Sequence, residues 1–148
     1  MENQPAKKKP MRVFLSHATK DRKTADILRT QLREAGFDVW SMGDDVLPGD
    51  NWGEAVANAL ETSDAMVALV SPSFVSSEHA GREVEFALTQ PRYRDRLIPV
   101  MIRPTNRFPW ILKNLSFIDA TRNPEAAGAK VISALSGNLQ KRPAGTNA

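Results

Sequence analysis

Short runs rich in β-branched and aromatic residues alternate along the chain with stretches whose apolar residues recur every three or four positions. Two of the runs, Ala65–Val70 and Leu97–Ile102, are apolar or nearly so throughout, as strands covered on both faces are. Strands of that kind joined by helices predict an α/β fold. The expected architecture is a five-stranded parallel sheet in the flavodoxin-like order 2-1-3-4-5, with helices on both faces.

Arg12–Ser16 reads as the first strand. Ala25, Leu28, Leu32 and Ala35 then mark an amphipathic helix that Gly36 stops. Phe37–Trp40 reads as the second strand, and Asp44–Asp50 as a loop, because Pro48 and Gly49 both oppose regular structure. Asp50 is placed to cap a second helix, whose buried stripe would be Trp52, Ala55, Val56, Ala59 and Leu60. Ala65–Val70 is the third strand. A third helix is expected from about Ser77 to Thr89, on a stripe of Ala80, Val84, Ala87 and Leu88. Leu97–Ile102 and the short Phe117-Ile118 supply the last two strands. Asn123-Pro124-Glu125 opens a final helix with a cap, a proline and an acid, and Val131, Ile132, Leu135 and Leu139 form its inner face.

With 148 residues, 41% hydrophobic and 25% charged, the chain suits one globular domain with its own core. It has no cysteine, which excludes disulfides, thiolate metal sites and cysteine nucleophiles, and fits a reducing, cytoplasmic setting. The net charge of +3 is unevenly spread: residues 1–10 and 137–148 carry +2 each, leaving −1 for 11–136. Both ends read as disordered, solvated tails, so the expected organisation is a tail over 1–10, a domain over 11–139 and a tail over 140–148. The basic pI therefore calls for no specific nucleic-acid partner. No run approaches the ~18–20 apolar residues of a membrane span, so no membrane association is expected.

In a sheet of this order the ligand crevice lies beyond the carboxyl ends of strands one and three. That places Ser16-His17-Ala18 and Ser71-Pro72 in it, bordered by the Asp44–Asp50 loop and the start of the third helix. Neither glycine-rich nucleotide fingerprint is present. The strand ends lack the acidic residues of a phospho-receiver, and Ser16–Asp21 lacks the glycine of a flavin phosphate loop. His17 and His79 are too few for a histidine metal centre, and no nucleophile elbow occurs. Glu83 falls inside the inward stripe of the third helix, whereas Glu85 lies about 200° around it. Such a carboxylate is either solvated at the stripe edge or faces a cavity where it acts. His79, one turn earlier, is placed for a local pair with it.

Four segments in order, Val13-Phe14-Leu15-Ser16-His17, Asp44…Leu47-Pro48-Gly49-Asp50-x-Trp52, Val70-Ser71-Pro72-Ser73-Phe74…Glu83-Val84-x-x-Ala87-Leu88, and Ile98-Pro99-Val100, resemble a Toll/interleukin-1 receptor (TIR) domain of the microbial and plant-like branch. The resemblance runs from about Met11 to Leu139. It implies cleavage of NAD+ at the nicotinamide–ribose bond, giving nicotinamide and ADP-ribose or a cyclised form, in defence or cell-death signalling. NAD+ would be substrate, with no cofactor and no metal. Glu83 matches the catalytic glutamate of the family, and Ser16, His17, Trp52, Ser71 and His79 fall at positions bordering the nucleotide. Trp52 also fits its helix as a plain core residue. The family often carries an aromatic residue where His79 stands. Asp44, Leu47, Pro48, Gly49 and Asp50 match the loop through which assembled TIR domains contact a neighbour. Self-association or contact with other TIR domains is therefore expected to accompany activity. A non-catalytic scaffold working by TIR–TIR contact is the alternative, and a nucleoside-processing transferase of similar fold is a third.

Overall fold

The computed structural model describes residues 10–41, 49, 51–106, 112 and 115–139. The expected tails, Pro10 apart, and Asp44, Leu47, Pro48 and Asp50 lie outside the described residues, as does the side chain of Leu139. Among the described residues, β1 (Arg12–Ser16), β2 (Asp38–Trp40), β3 (Ala65–Val70), β4 (Leu97–Met101) and β5 (Ile118–Asp119) form one sheet. Its order is β2-β1-β3-β4-β5 and every pairing is parallel, as the sequence predicts.

Side-chain alternation along the strands sorts the core into two layers. Val13 and Leu15 of β1, with Ala65, Val67 and Leu69 of β3, face α1 (Arg22–Glu34) and α4 (Ala127–Leu139), which bring Leu28, Leu32, Val131 and Leu135. Phe14, Met66, Ala68 and Val70 point the other way, to α2 (Trp52–Thr62) and α3 (Glu78–Leu88). All six residues of β3 are buried, which explains its unbroken apolar run. Gly128 lets α1 and α4 meet closely: a Cβ there would come within 2.9 Å of Gln31 Cβ, with other side-chain atoms closer still.

Helix ends follow local chemistry. Gly36 takes φ +98° after α1, a left-handed conformation that glycine adopts without a steric cost. Ser77 caps α3 by accepting from Ala80 N at 3.3 Å. The cap of α2 is Asn51, whose Oδ1 accepts from Glu54 N at 3.1 Å, one residue past the expected Asp50. Asn123 makes no side-chain cap; the chain instead enters α4 through a 3-10 turn, Pro124–Ala126. The last carbonyls of α2 are met by a pair of residues that periodicity does not mark. Leu60 O accepts from Tyr93 Oη and from the Arg92 guanidinium, each at 2.5 Å.

Ala35, Leu88 and Phe117, each at the end of an element, differ from expectation. Ala35 is exposed because it already belongs to the end of α1. Leu88 is 40% exposed at the last turn of α3, and Phe117 is 45% exposed just before β5 begins.

Candidate active site

The carboxyl end of β1 delivers Ser16 and His17 to the edge where the sheet changes direction. After a 3-10 turn, Thr19–Asp21, the chain enters α1. From the opposite side α3 lays Ala80, Val84 and Ala87 on the layer containing Phe14. Glu83 shares that inward face and is only 5% exposed, while Glu85 is exposed, as the helix pattern requires. Glu83 is therefore not solvated at the stripe edge.

Ser16 Oγ donates to Glu83 Oε1 at 2.7 Å, joining residues 67 apart in sequence. Burial disfavours the charged carboxylate and pushes its pKa from 4.5 up to about 7, and the Ser16 hydrogen bond opposes that rise. Glu83 helps to line a cavity of about 120 Å³ with Phe14, Leu15, His17, Thr19, Arg22, Trp40 and His79. Phe14 and Trp40 stack at 4.9 Å and 22°, giving this cavity an aromatic wall.

The two histidines meet here. His17 Nδ1 lies 2.8 Å from Ala18 O; a carbonyl only accepts, so Nδ1 carries the proton and Nε2 is the acceptor in the neutral ring. Burial lowers the His17 pKa from 6.5, which keeps the ring neutral at pH 7. His79 Nδ1 is 3.0 Å from Ser77 Oγ, so the hydrogen bond it makes is to the helix cap rather than the expected pair with Glu83.

An open groove of about 790 Å³ adjoins the cavity and shares Thr19 and His79 with it. Trp52, Lys20, Arg82 and the hydroxyl-bearing Ser73, Ser76 and Ser77 line it further out. Trp52 is 53% exposed in this groove, so the core reading of that residue is corrected: at the first turn of α2 the stripe has not yet reached the sheet. Ser71 is placed elsewhere. It is fully buried, accepts from Phe74 N at 3.0 Å to cap the helical turn Pro72–Val75, and donates to Asp21 Oδ2 at 2.5 Å. Ser16 likewise lies behind the cavity wall rather than on it. Gly49 is exposed with φ +92°; the rest of the Asp44–Asp50 loop lies outside the described residues.

Sequence reasoning passed over Trp40, Arg22 and Arg82 as site residues. Trp40 ends β2, so the carboxyl-end rule would have found it. Asp21, 1% exposed and held by Ser71 and by Arg103 Nε at 3.4 Å, has no signature in the periodicity. Among the described residues no group of three His, Asp or Glu side chains is arranged to hold a metal ion, and no helix is long and apolar enough to cross a membrane.

Comparison with known proteins adds the family. A family model described as "TIR domain" matches residues 13–133. No curated protein matches in sequence. Among solved structures, the TIR domain of the Toll-related receptor TRR-2 from Hydra magnipapillata is 22% identical, with a TM-score of 0.65, over 86% of this chain and 94% of that one. A prokaryotic SEFIR domain is 15% identical, with a TM-score of 0.60, over 90% and 94%. The CMP N-glycosidase BcmB of Clostridium botulinum is 17% identical, with a TM-score of 0.58, over 82% and 98%. At these identities the likeness is one of fold.

Proposed function

The chain belongs to the TIR-domain family, and from that premise we propose that it cleaves NAD+ at the nicotinamide–ribose bond, with Glu83 as the residue that carries the reaction. One observation supports this most: a carboxylate 5% exposed lines a cavity beside an open polar groove. A buried ionisable group that faces a cleft is a functional-site candidate on physical grounds.

The geometry suits the chemistry. Nicotinamide in NAD+ is a cationic pyridinium and leaves as a neutral base, taking the bonding pair of the C1′–N bond and needing no proton. The ribose passes through an oxocarbenium-like state, which a nearby carboxylate stabilises and a water molecule or a substrate hydroxyl then captures. The cavity, about 120 Å³, is below the ~300–1,000 Å³ of a site for a whole drug-sized ligand, so it suits the reacting end of the dinucleotide alone. Phe14 and Trp40 give that end an apolar wall. The diphosphate-linked remainder lies in the groove, near Lys20, Arg82 and the serine hydroxyls. A bound pyridinium lowers the Glu83 pKa, because a neighbouring cation favours the ionised carboxylate. Self-association through the Asp44–Asp50 region is part of this reading, and a defence or cell-death signal is its use.

A non-catalytic scaffold would leave a buried carboxylate with its destabilising effect and no role. The test is nicotinamide release from NAD+ by wild-type protein and Glu83→Ala, at low and high protein concentration. The proposal expects turnover that rises steeply with concentration and is lost in Glu83→Ala while the fold, read by circular dichroism, persists. Equal turnover in the two proteins contradicts it.

A further inference from the structure

We propose that Ser16 is a positioning residue for Glu83 and not a substrate ligand: its hydroxyl fixes the carboxylate against the end of β1 and favours its charged form, leaving Oε2 for the ribose. The inference rests on the NAD+-cleaving reading for its chemistry, though not for its geometry.

Three observations carry it. Ser16 ends β1, which lies between β2 and β3, and is paired with Ala68 of β3, so its backbone is held by the sheet and cannot follow a ligand. It is 1% exposed and lies off the cavity lining, so a bound ribose meets Glu83 and not Ser16. A serine hydroxyl has one proton, and that proton is committed to Glu83 Oε1 at 2.7 Å. A glutamate reaching into a cavity from a helix otherwise has free side-chain torsions. Anchoring one oxygen to a rigid strand selects one rotamer and aims the other oxygen.

The electrostatic part follows from what surrounds the carboxylate. His17 beyond β1, Arg22 at the start of α1 and His79 on α3 line the same cavity. His17 is held neutral by burial, His79 bonds Ser77 Oγ, and Arg22 Nε lies 3.8 Å from Asp26 Oδ2. The Ser16 hydrogen bond is the contact that opposes the burial of the Glu83 charge. A donor to the charged form favours ionisation.

The experiment uses Ser16→Ala and Ser16→Thr, the latter keeping a hydroxyl on a residue suited to a strand. The Glu83 carboxyl is followed by carbon-13 NMR against pH, its signal assigned by its loss in Glu83→Gln. The same proteins are assayed for kcat and KM for nicotinamide release between pH 5.5 and 8.5, a range of about three units chosen to bracket the titration. In Ser16→Ala the Glu83 midpoint moves up by about one unit. At pH 6 kcat/KM then falls about tenfold, and it largely recovers by pH 8.5. Ser16→Thr keeps the wild-type midpoint. If Thr does not fit, the Ser16→Ala titration decides alone. An unmoved Glu83 midpoint in Ser16→Ala overturns the proposal, as does a raised KM with an unchanged pH profile, which is the behaviour of a substrate ligand. A moved midpoint in a protein that releases no nicotinamide upholds the role of the hydrogen bond and overturns the NAD+ reading.

Discussion

Replacing Glu83 by Gln is expected to make the protein more stable at neutral and alkaline pH while ending its activity. Glutamine keeps the shape and an oxygen that accepts from Ser16, so the change removes the charge and little else. Glu83 ionises at 4.5 in the reference state and at about 7 in the fold. Between those values the folded chain holds a proton that the unfolded chain has lost, so the contribution of Glu83 is fully present below 4.5 and falls away as pH rises through 7. A shift of about 2.5 units, at about 1.4 kcal/mol each, corresponds to about 3 kcal/mol. Burial to 5% exposure means that solvent screening removes little of it. Glu83→Gln should therefore match wild type near pH 4 and exceed it by about 3 kcal/mol at pH 8, on the order of 10 °C in Tm for a domain of this size. Urea unfolding followed by tryptophan fluorescence at the two pH values measures it. Equal stability at pH 8, or a difference independent of pH, would refute the claim that a buried, functional charge is held there against the interest of the fold.

Other consequences can be checked in the same preparations. Wild-type kcat/KM for NAD+ should rise through a pKa near 7 as Glu83 ionises in the free protein, with His17 already neutral in that range; a flat acid limb contradicts this. Trp52→Ala, at a position 53% exposed in the groove, should leave stability within about 0.5 kcal/mol and raise KM by roughly three- to tenfold. Ser71→Ala should do the reverse. It removes a cap and a donor to buried Asp21, costing about 2–3 kcal/mol in unfolding free energy, with KM for NAD+ unchanged.

The fold was legible because each layer writes its own period into the sequence. The two-sided run Ala65–Val70 reads as a buried strand and Ala25, Leu28 and Leu32 as one face of a helix, and both are so in the fold. Periodicity also isolated Glu83, since it shows which side chains share a face. It fails at element ends, where the chain has yet to reach the core or has already left it. Trp52, Ala35 and Leu88 are exposed for that reason, and the cap of α2 falls on Asn51. Contacts across long stretches of chain are invisible to any local pattern. Ser16 with Glu83, Ser71 with Asp21 and Trp40 with Phe14 depend on the sheet order, and so the division between residues that touch the cavity and residues that hold others in place came only from three-dimensional geometry.

The central claim is that this buried carboxylate breaks the bond between nicotinamide and ribose. The most direct measurement is nicotinamide released from NAD+ by concentrated wild-type protein and by folded Glu83→Ala, side by side at pH 7.5, a value about half a unit above the Glu83 midpoint. Wild type should release nicotinamide and Glu83→Ala should show a loss of about a hundred- to a thousandfold, as for removal of one principal electrostatic group. Release by both at similar rates, or by neither at any concentration, would contradict it.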